Sequence, residues 1–140
     1  MSFFPPKDST PPRPAAAARQ ERGRAARESG YDAESAAADF LQSKGVRILA
    51  RNVRCKSGEI DIVGNDHETL VFVEVRLRKN KGFGGAAESV TVTKQRRIAN
   101  AARFFLLRQP ALANQPCRFD CVLMDAPGNF EWLRDAFRLD

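Results

Sequence analysis

Histidine is almost absent from this chain, and cysteine is scarce. The one histidine, His67, lies in a polar stretch between two apolar runs, where a solvated residue is expected, so no histidine is left for a serine or cysteine triad. Cys55, Cys117 and Cys121 are odd in number and lack a Cys-x-x-Cys spacing, and one histidine cannot complete a zinc site with them. Reduced structural thiols are the expectation. Long apolar runs are missing as well. None approaches a membrane span, and the start, Met1-Ser2-Phe3-Phe4-Pro5-Pro6-Lys7, has no signal-peptide apolar region. A cytoplasmic protein without membrane contact is expected.

What remains is enough for one ordinary domain. The chain has 140 residues and is 43% hydrophobic, which allows a real core but no second one. Residues 1–28 hold five of the eight prolines, the run Ala15 to Ala18 and almost no large apolar residue after Phe4. They cannot build a core and read as a disordered basic arm, leaving residues 29–140 as the single domain. The net charge of +6 divides evenly: six basic against three acidic residues in the arm, 17 against 14 in the rest. Such a balance suits contact with nucleic acid, and suits plain solubility nearly as well.

Two acidic signatures stand out inside apolar runs, Gly58-Glu59-Ile60-Asp61-Ile62-Val63 and Phe72-Val73-Glu74-Val75-Arg76. A carboxylate there is costly unless something holds it. The polar stretch Gly64-Asn65-Asp66-His67-Glu68 between them has the composition of a turn, so the two runs predict a β-hairpin. Side-chain alternation then puts Glu59, Asp61 and Val63 on one face, and Phe72, Glu74 and Arg76 on one face of the second strand. Symmetry about His67 and Glu68 sets Asp61 opposite Glu74 and Glu59 opposite Arg76. Facing acids weaken a sheet or share a proton, unless a cation lies between them. Oxygen ligands from two carboxylates favour Mg²⁺ or Mn²⁺ over Zn²⁺, and such an ion activates water and neutralises phosphodiester charge. The plain alternative is a solvated strand face with a Glu59–Arg76 ion pair. Arg76 cannot be a general base, because arginine stays protonated; it can orient water or stabilise phosphate.

Around this hairpin the pattern is mixed α and β. Ser29 followed by Asp32 resembles a helix start, and Ala33, Ala36, Ala37, Phe40 and Leu41 recur at helical spacing until Gly45. Glu34 borders that stripe, either pointing toward the acid pair or serving as a first-turn acid. Residues 46–53 predict a strand leading into the hairpin. The segment Arg78-Lys79-Asn80-Lys81-Gly82-Phe83-Gly84-Gly85 is basic and glycine-rich, fit for a loop over a nucleic-acid backbone or for a simple connector. A second helix is marked by Ile98, Ala101, Ala102, Phe105 and Leu106, with Pro110 beyond its end. Lys94 and Gln95 in its first turn face the sheet, whereas Arg96, Arg97 and Arg103 form a phosphate ridge or a solvated face. Arg118 to Met124 predicts a buried strand, Pro127-Gly128-Asn129 a turn and Phe130 to Leu133 a short strand.

Taken together these residues resemble the YraN family, a branch of the restriction-endonuclease-like superfamily with the PD-(D/E)xK motif. The similarity runs from about Gly30 to Phe137. It rests on Glu34, Arg51-Asn52, Gly58-Glu59-Ile60-Asp61, Phe72-Val73-Glu74-Val75-Arg76, Lys94-Gln95-Arg96-Arg97-Ile98, Arg118-Phe119-Asp120, Trp132 and Ala136-Phe137. The resemblance implies an α/β fold with a mixed central sheet flanked by helices, in the order α-β-β-β-α-β-β. It implies Asp61 and Glu74 as metal-binding acids, Glu34 as the additional helix carboxylate and Gln95 as the polar helix residue beside the site. Arg76 stands where the superfamily has lysine, Lys94 approaches from the second helix, and Ile60 replaces the usual proline.

The functional expectation is a Mg²⁺- or Mn²⁺-dependent endonuclease cleaving DNA phosphodiesters. Arg76, Lys94 and Gln95 would position phosphate and water, while Arg78, Lys79, Lys81, Arg96 and Arg97 would contact the nucleic acid. The competing expectation is a noncatalytic nucleic-acid-binding or scaffolding module that keeps the fold. An RNA-directed or repair-complex role has less to recommend it, since no RNA-recognition aromatic pair is present. Oligomeric state is not readable from the chain.

Overall fold

A computed structural model describes residues 24–78, 90–126 and 128–138. Helix α1 (Arg24–Ser43) leads into three consecutive strands, β1 (Val46–Cys55), β2 (Gly58–Asp66) and β3 (Thr69–Leu77). Helix α2 (Val92–Leu107) and a short 3₁₀ turn at Pro110–Leu112 precede β4 (Cys117–Ala126) and β5 (Asn129–Phe137). The strands form one sheet in the order β1-β2-β3-β4-β5. Only β3 and β4 are parallel, and α2 lies in the connection between them, as parallel neighbours require.

The sheet is covered on both sides. Ala37, Ala38 and Leu41 of α1 cluster with Val46, Ile62, Val71, Val73 and Val122. Ile98, Ala101, Ala102 and Phe105 of α2 cluster with Ile60, Val63, Leu70, Phe72, Cys121 and Leu123 on the opposite face. Alternation along β3 explains this: Val71 and Val73 point one way, Leu70 and Phe72 the other. Phe72 sits edge-on to Phe105, with ring centroids 6.2 Å apart, and tilted against Phe119 at 5.6 Å. Burying each such ring stabilises the fold by roughly 1.5–3 kcal/mol. The expected mixed sheet flanked by helices is therefore the observed one.

Apart from β1 and β4, each one or two residues longer than expected at its ends, local boundaries differ from expectation at three places. Helix α1 begins at Arg24 rather than at Ser29, so the Ser29–Asp32 pattern is interior to it, and residues 24–28 of the expected arm are helical. The remainder of that arm, residues 1–23, lies outside the described residues, as do Lys79 and Lys81. Second, Gly64, Asn65 and Asp66 continue β2 instead of turning. Asn65 and Asp66 find partners distant in sequence: Asn65 Nδ2 donates to Gln115 Oε1 at 3.2 Å, and Arg118 Nη2 donates to Asp66 Oδ2 at 2.9 Å. The turn is only His67 and Glu68, with His67 in the left-handed region at φ 61°. Third, β5 runs to Phe137 rather than ending at Leu133.

Two glycines set how the helices meet the strands, Gly45 at the turn end of the hairpin and Gly58 at the end nearer Asp61. α1 ends at Ser43, and Gly45 just beyond it, at φ 95°, donates its N–H to the Gln42 carbonyl at 3.0 Å. At the start of β2, a Cβ on Gly58 would lie 1.7 Å from the Arg97 carbonyl oxygen. Glycine there lets the first half of α2 press directly on the strand.

Candidate active site

The β2–β3 ladder runs from the Asp66–Thr69 pair to the Ile62–Val73 pair, the register expected of a hairpin symmetric about His67 and Glu68. Asp61 and Glu74 lie one step beyond its last pair. Here the Val75 N–H donates to Asp61 Oδ2 at 2.8 Å, so the side chain takes the hydrogen bond that a continued ladder would give to backbone. Glu74 is buried, with 5% of its surface exposed. It lies on the α2 side, since its neighbours Val73 and Val75 pack on the α1 cluster.

Glu74 is matched by two cations. Lys94 Nζ, from the first turn of α2, lies 3.0 Å from Glu74 Oε2, and Arg76 Nη1 lies 3.6 Å from the same oxygen. Thr91 caps α2 by accepting from the Lys94 N–H at 3.1 Å, which fixes where the lysine leaves the helix. On the other side of the sheet, Arg51 Nη2 donates to Glu34 Oε1 and to Ser35 Oγ, each at 3.1 Å. Glu34 is thereby tied to β1.

Asp61 receives no such cation among the recorded ion pairs of the described residues. Burial, then the charge of Glu74, and less strongly those of Glu34 and Glu59, push its carboxyl up to about 7, against the lowering effect of the Val75 N–H. Acids from α1 and β3 thus both act on Asp61 of β2. They do not close into a cage: among the described residues, no three His, Cys, Asp or Glu side chains converge closely enough to hold an ion between them. The donor chemistry nonetheless fits a hard divalent cation, because Asp61 and Glu74 offer carboxylate oxygens and carry mutual repulsion that a positive ion relieves.

Simple alternation fails at Asp61. Ile60 packs in the α2-side cluster and Ile62 in the α1-side cluster, although residues two apart in a regular strand share a face. Glu59, Asp61 and Val63 therefore do not form the single expected face; the strand turns over at Asp61. The expected Glu59–Arg76 pair is also replaced. Glu59 stands opposite Arg54 on β1, 3.6 Å from its Nε, and Arg76 turns to Glu74 on its own strand.

Other expected site residues are dispersed. Gln95 Nε2 donates to the Val90 carbonyl at 2.9 Å and so anchors the segment entering α2. Arg78 is ion-paired with Glu131 of β5, and its N–H donates to the Met124 carbonyl, so its guanidinium is held against the sheet. Arg96 and Arg97 are exposed on α2.

A further acid is expected only as part of the Arg118-Phe119-Asp120 motif, with no role given to it. Asp120 is fully buried on β4 and accepts four hydrogen bonds: from Arg118 Nε and Nη2, from Trp132 Nε1 and from the Asp135 N–H, all at 2.9–3.0 Å. Its signal was the same as that of Asp61, an acid inside an apolar run. Cys121 is buried beside Glu74 across the parallel β3–β4 pair, and burial, then the Glu74 charge, push its thiol up to about 12, which disfavours the thiolate. All three cysteines are free.

Sheet order and flanking helices define an α/β protein with a nuclease-like, restriction-endonuclease-like fold. Residues 33–124 match the uncharacterised protein family UPF0102, and the chain belongs to that family, the one its motifs resembled. It is 48% identical over 113 residues to a UPF0102 protein of Pseudomonas putida (strain W619), covering 78% of this chain and 92% of the relative. To a UPF0102 protein of Saccharophagus degradans it is 50% identical over 113 residues, covering 81% and 95%. A Nitrosococcus oceani relative, also a UPF0102 protein, is 44% identical over 117 residues, with 81% and 94% covered. No helix among the described residues is long and apolar enough to cross a membrane.

Proposed function

We propose that this protein is a Mg²⁺- or Mn²⁺-dependent endonuclease that hydrolyses phosphodiester bonds in DNA. The observation that carries this reading is the placement of Asp61 one step past the last β2–β3 pair, across from the buried Glu74, with its Oδ2 accepting from the Val75 N–H at 2.8 Å. Asp61 and Glu74 would hold the ion, with Glu34 at its flank. When bound, the ion neutralises phosphodiester charge and lowers the pKa of water.

The remaining residues do electrostatic and positional duty. Arg76 and Lys94 share one oxygen of Glu74 at 3.6 and 3.0 Å, so both cations already stand where a phosphate group would approach that acid. Each offers N–H donors to phosphate oxygens, and a charged transition state gains more from them than the ground state does. Arg76 takes no proton at any step. Lys94, 44% exposed at the side chain, can follow a substrate because its stem is long and its head is in solvent. Arg96 and Arg97, exposed on the same helix, supply further phosphate contacts along a duplex. DNA is preferred to RNA in this reading, since the sequence offers no RNA-recognition aromatic pair.

A noncatalytic nucleic-acid-binding or scaffolding module is the second reading. The internal pairing of Glu74 with Lys94 and of Glu34 with Arg51 favours it, because those acids are neutralised without any ion. One assay panel separates the two: supercoiled, linear, single-stranded and branched DNA and RNA, each with Mg²⁺, Mn²⁺ or EDTA, with Asp61→Ala and Glu74→Ala in parallel. The proposal expects metal-dependent DNA cleavage that both variants abolish. Cleavage persisting unchanged in both variants would sink the site, and no cleavage with no metal binding would leave the binding module.

A further inference from the structure

Asn52, one half of the Arg51-Asn52 motif, is not used by the site as described so far. It is a non-glycine residue at φ 55°, in the left-handed region, in the interior of β1. Asparagine tolerates this region better than most residues, but a left-handed residue in mid-strand interrupts regular pairing and persists only where its surroundings enforce it. Such outliers gather at functional sites.

The ladder shows what this one does. Arg51 pairs with Ile62 and Val53 with Ile60, so Asn52 stands across from Asp61. On one side of that step, Ile62 packs with the α1 cluster and Arg51 reaches Glu34 and Ser35 of α1. On the other side, Ile60 and Val53 pack with the α2 cluster. The β1–β2 ribbon therefore turns over between the two pairs, at Asn52 on one strand and Asp61 on the other. Without the turnover, regular alternation would set Asp61 on a single face of the sheet, under one helix. With it, Asp61 meets β3 through its side chain, accepting from the Val75 N–H at 2.8 Å one step past the last β2–β3 pair.

We propose that Asn52 is the positioning residue of Asp61: its left-handed backbone turns the ribbon over and thereby delivers the carboxylate to the Val75 N–H and to Glu74. The significance of that placement rests on the nuclease reading above, but the placement itself does not. Glycine adopts the left-handed region freely, whereas a β-branched residue resists it.

The test is amide hydrogen exchange by NMR on the full chain and on Asn52→Gly, Asn52→Ala and Asn52→Val, without metal. The Val75 amide, which donates to Asp61 at 2.8 Å, reports the placement; the Leu70 amide, which donates to the Pro116 carbonyl at 2.8 Å far from Asn52 in the fold, controls for global opening. Val75 protection should stay within about twofold of the parent in Asn52→Gly, with Leu70 unchanged throughout. It should fall about tenfold or more in Asn52→Val and partially in Asn52→Ala. Loss in Asn52→Gly, or full retention in both other variants, overturns the proposal; Asn52→Ala and Asn52→Gly keep it readable if the valine variant does not fold. Mn²⁺ titration of the same samples separates the two readings. A parent that binds no Mn²⁺ removes the nuclease reading while the exchange result still decides the role of Asn52.

Discussion

Asp61→Asn is predicted to make the protein more stable at pH 8 and to flatten its dependence on pH. In the folded chain the Asp61 carboxyl titrates near 7, against 3.8 for the ordinary group, chiefly because it is buried and secondly because Glu74 is charged. Between these two values the folded state holds a proton that the unfolded state has lost. Stability contributed by this group is thus fully present below about pH 4 and is lost as pH rises through about 7. A shift of this size corresponds to a ceiling of ~4 kcal/mol, at about 1.36 kcal/mol per unit. Partial exposure and coupling to Glu74 reduce the working figure to roughly 1–3 kcal/mol. Asparagine is nearly isosteric and its Oδ1 still accepts from the Val75 N–H, so the substitution removes the charge and keeps the hydrogen bond. Thermal and urea unfolding with EDTA, at pH 5 and pH 8, measure this. The variant should gain roughly 4–12 °C at pH 8 and show a smaller loss between pH 5 and pH 8 than the parent. The depressed titration of Asp66, held down by Arg118, falls below this window and does not confuse it. A variant less stable than the parent at pH 8, or one with an identical pH slope, refutes the claim that Asp61 is held against its own charge.

Two further outcomes follow from the same geometry. Asp120→Ala leaves Arg118, the Trp132 indole N–H and the Asp135 N–H without their buried acceptor. Urea unfolding should show a loss of about 3–5 kcal/mol, and a loss below about 1 kcal/mol would mean that the network is not holding β5 to β4. Lys94→Met removes a cation that must share Glu74 with any bound metal, so calorimetry should show Mn²⁺ binding tightened about three- to fivefold, for up to ~1 kcal/mol of ion pairing. Unchanged or weaker binding would mean that Lys94 does not compete at Glu74.

Much of this arrangement was legible in the sequence because it depends on local spacing. The hairpin register follows from symmetry about two residues, and the stripe Ile98, Ala101, Ala102 and Phe105 is the buried face of α2. Other features depend on partners far along the chain. Asn65 and Asp66 look like turn residues until Gln115 and Arg118, some fifty positions away, draw them into β2. Asp120 carried the same signature as Asp61, but its partners Trp132 and Asp135 arrive only through the β4–β5 pairing. The turnover at Asn52 was illegible for another reason: period-two alternation assumes a regular strand, and a left-handed residue breaks that assumption at the site itself. Likewise hairpin symmetry sets Glu59 opposite Arg76, whereas Arg76 pairs with Glu74 on its own strand.

The central claim is that Asp61 and Glu74 together hold a divalent metal ion. Calorimetric titration of Mn²⁺ into the parent protein, Asp61→Asn and Glu74→Gln tests it most directly, since both substitutions preserve size and Asp61→Asn is expected to fold more stably than the parent. The account predicts saturable binding to the parent that is lost in both variants. Equal binding by all three proteins, or none by the parent, would contradict it.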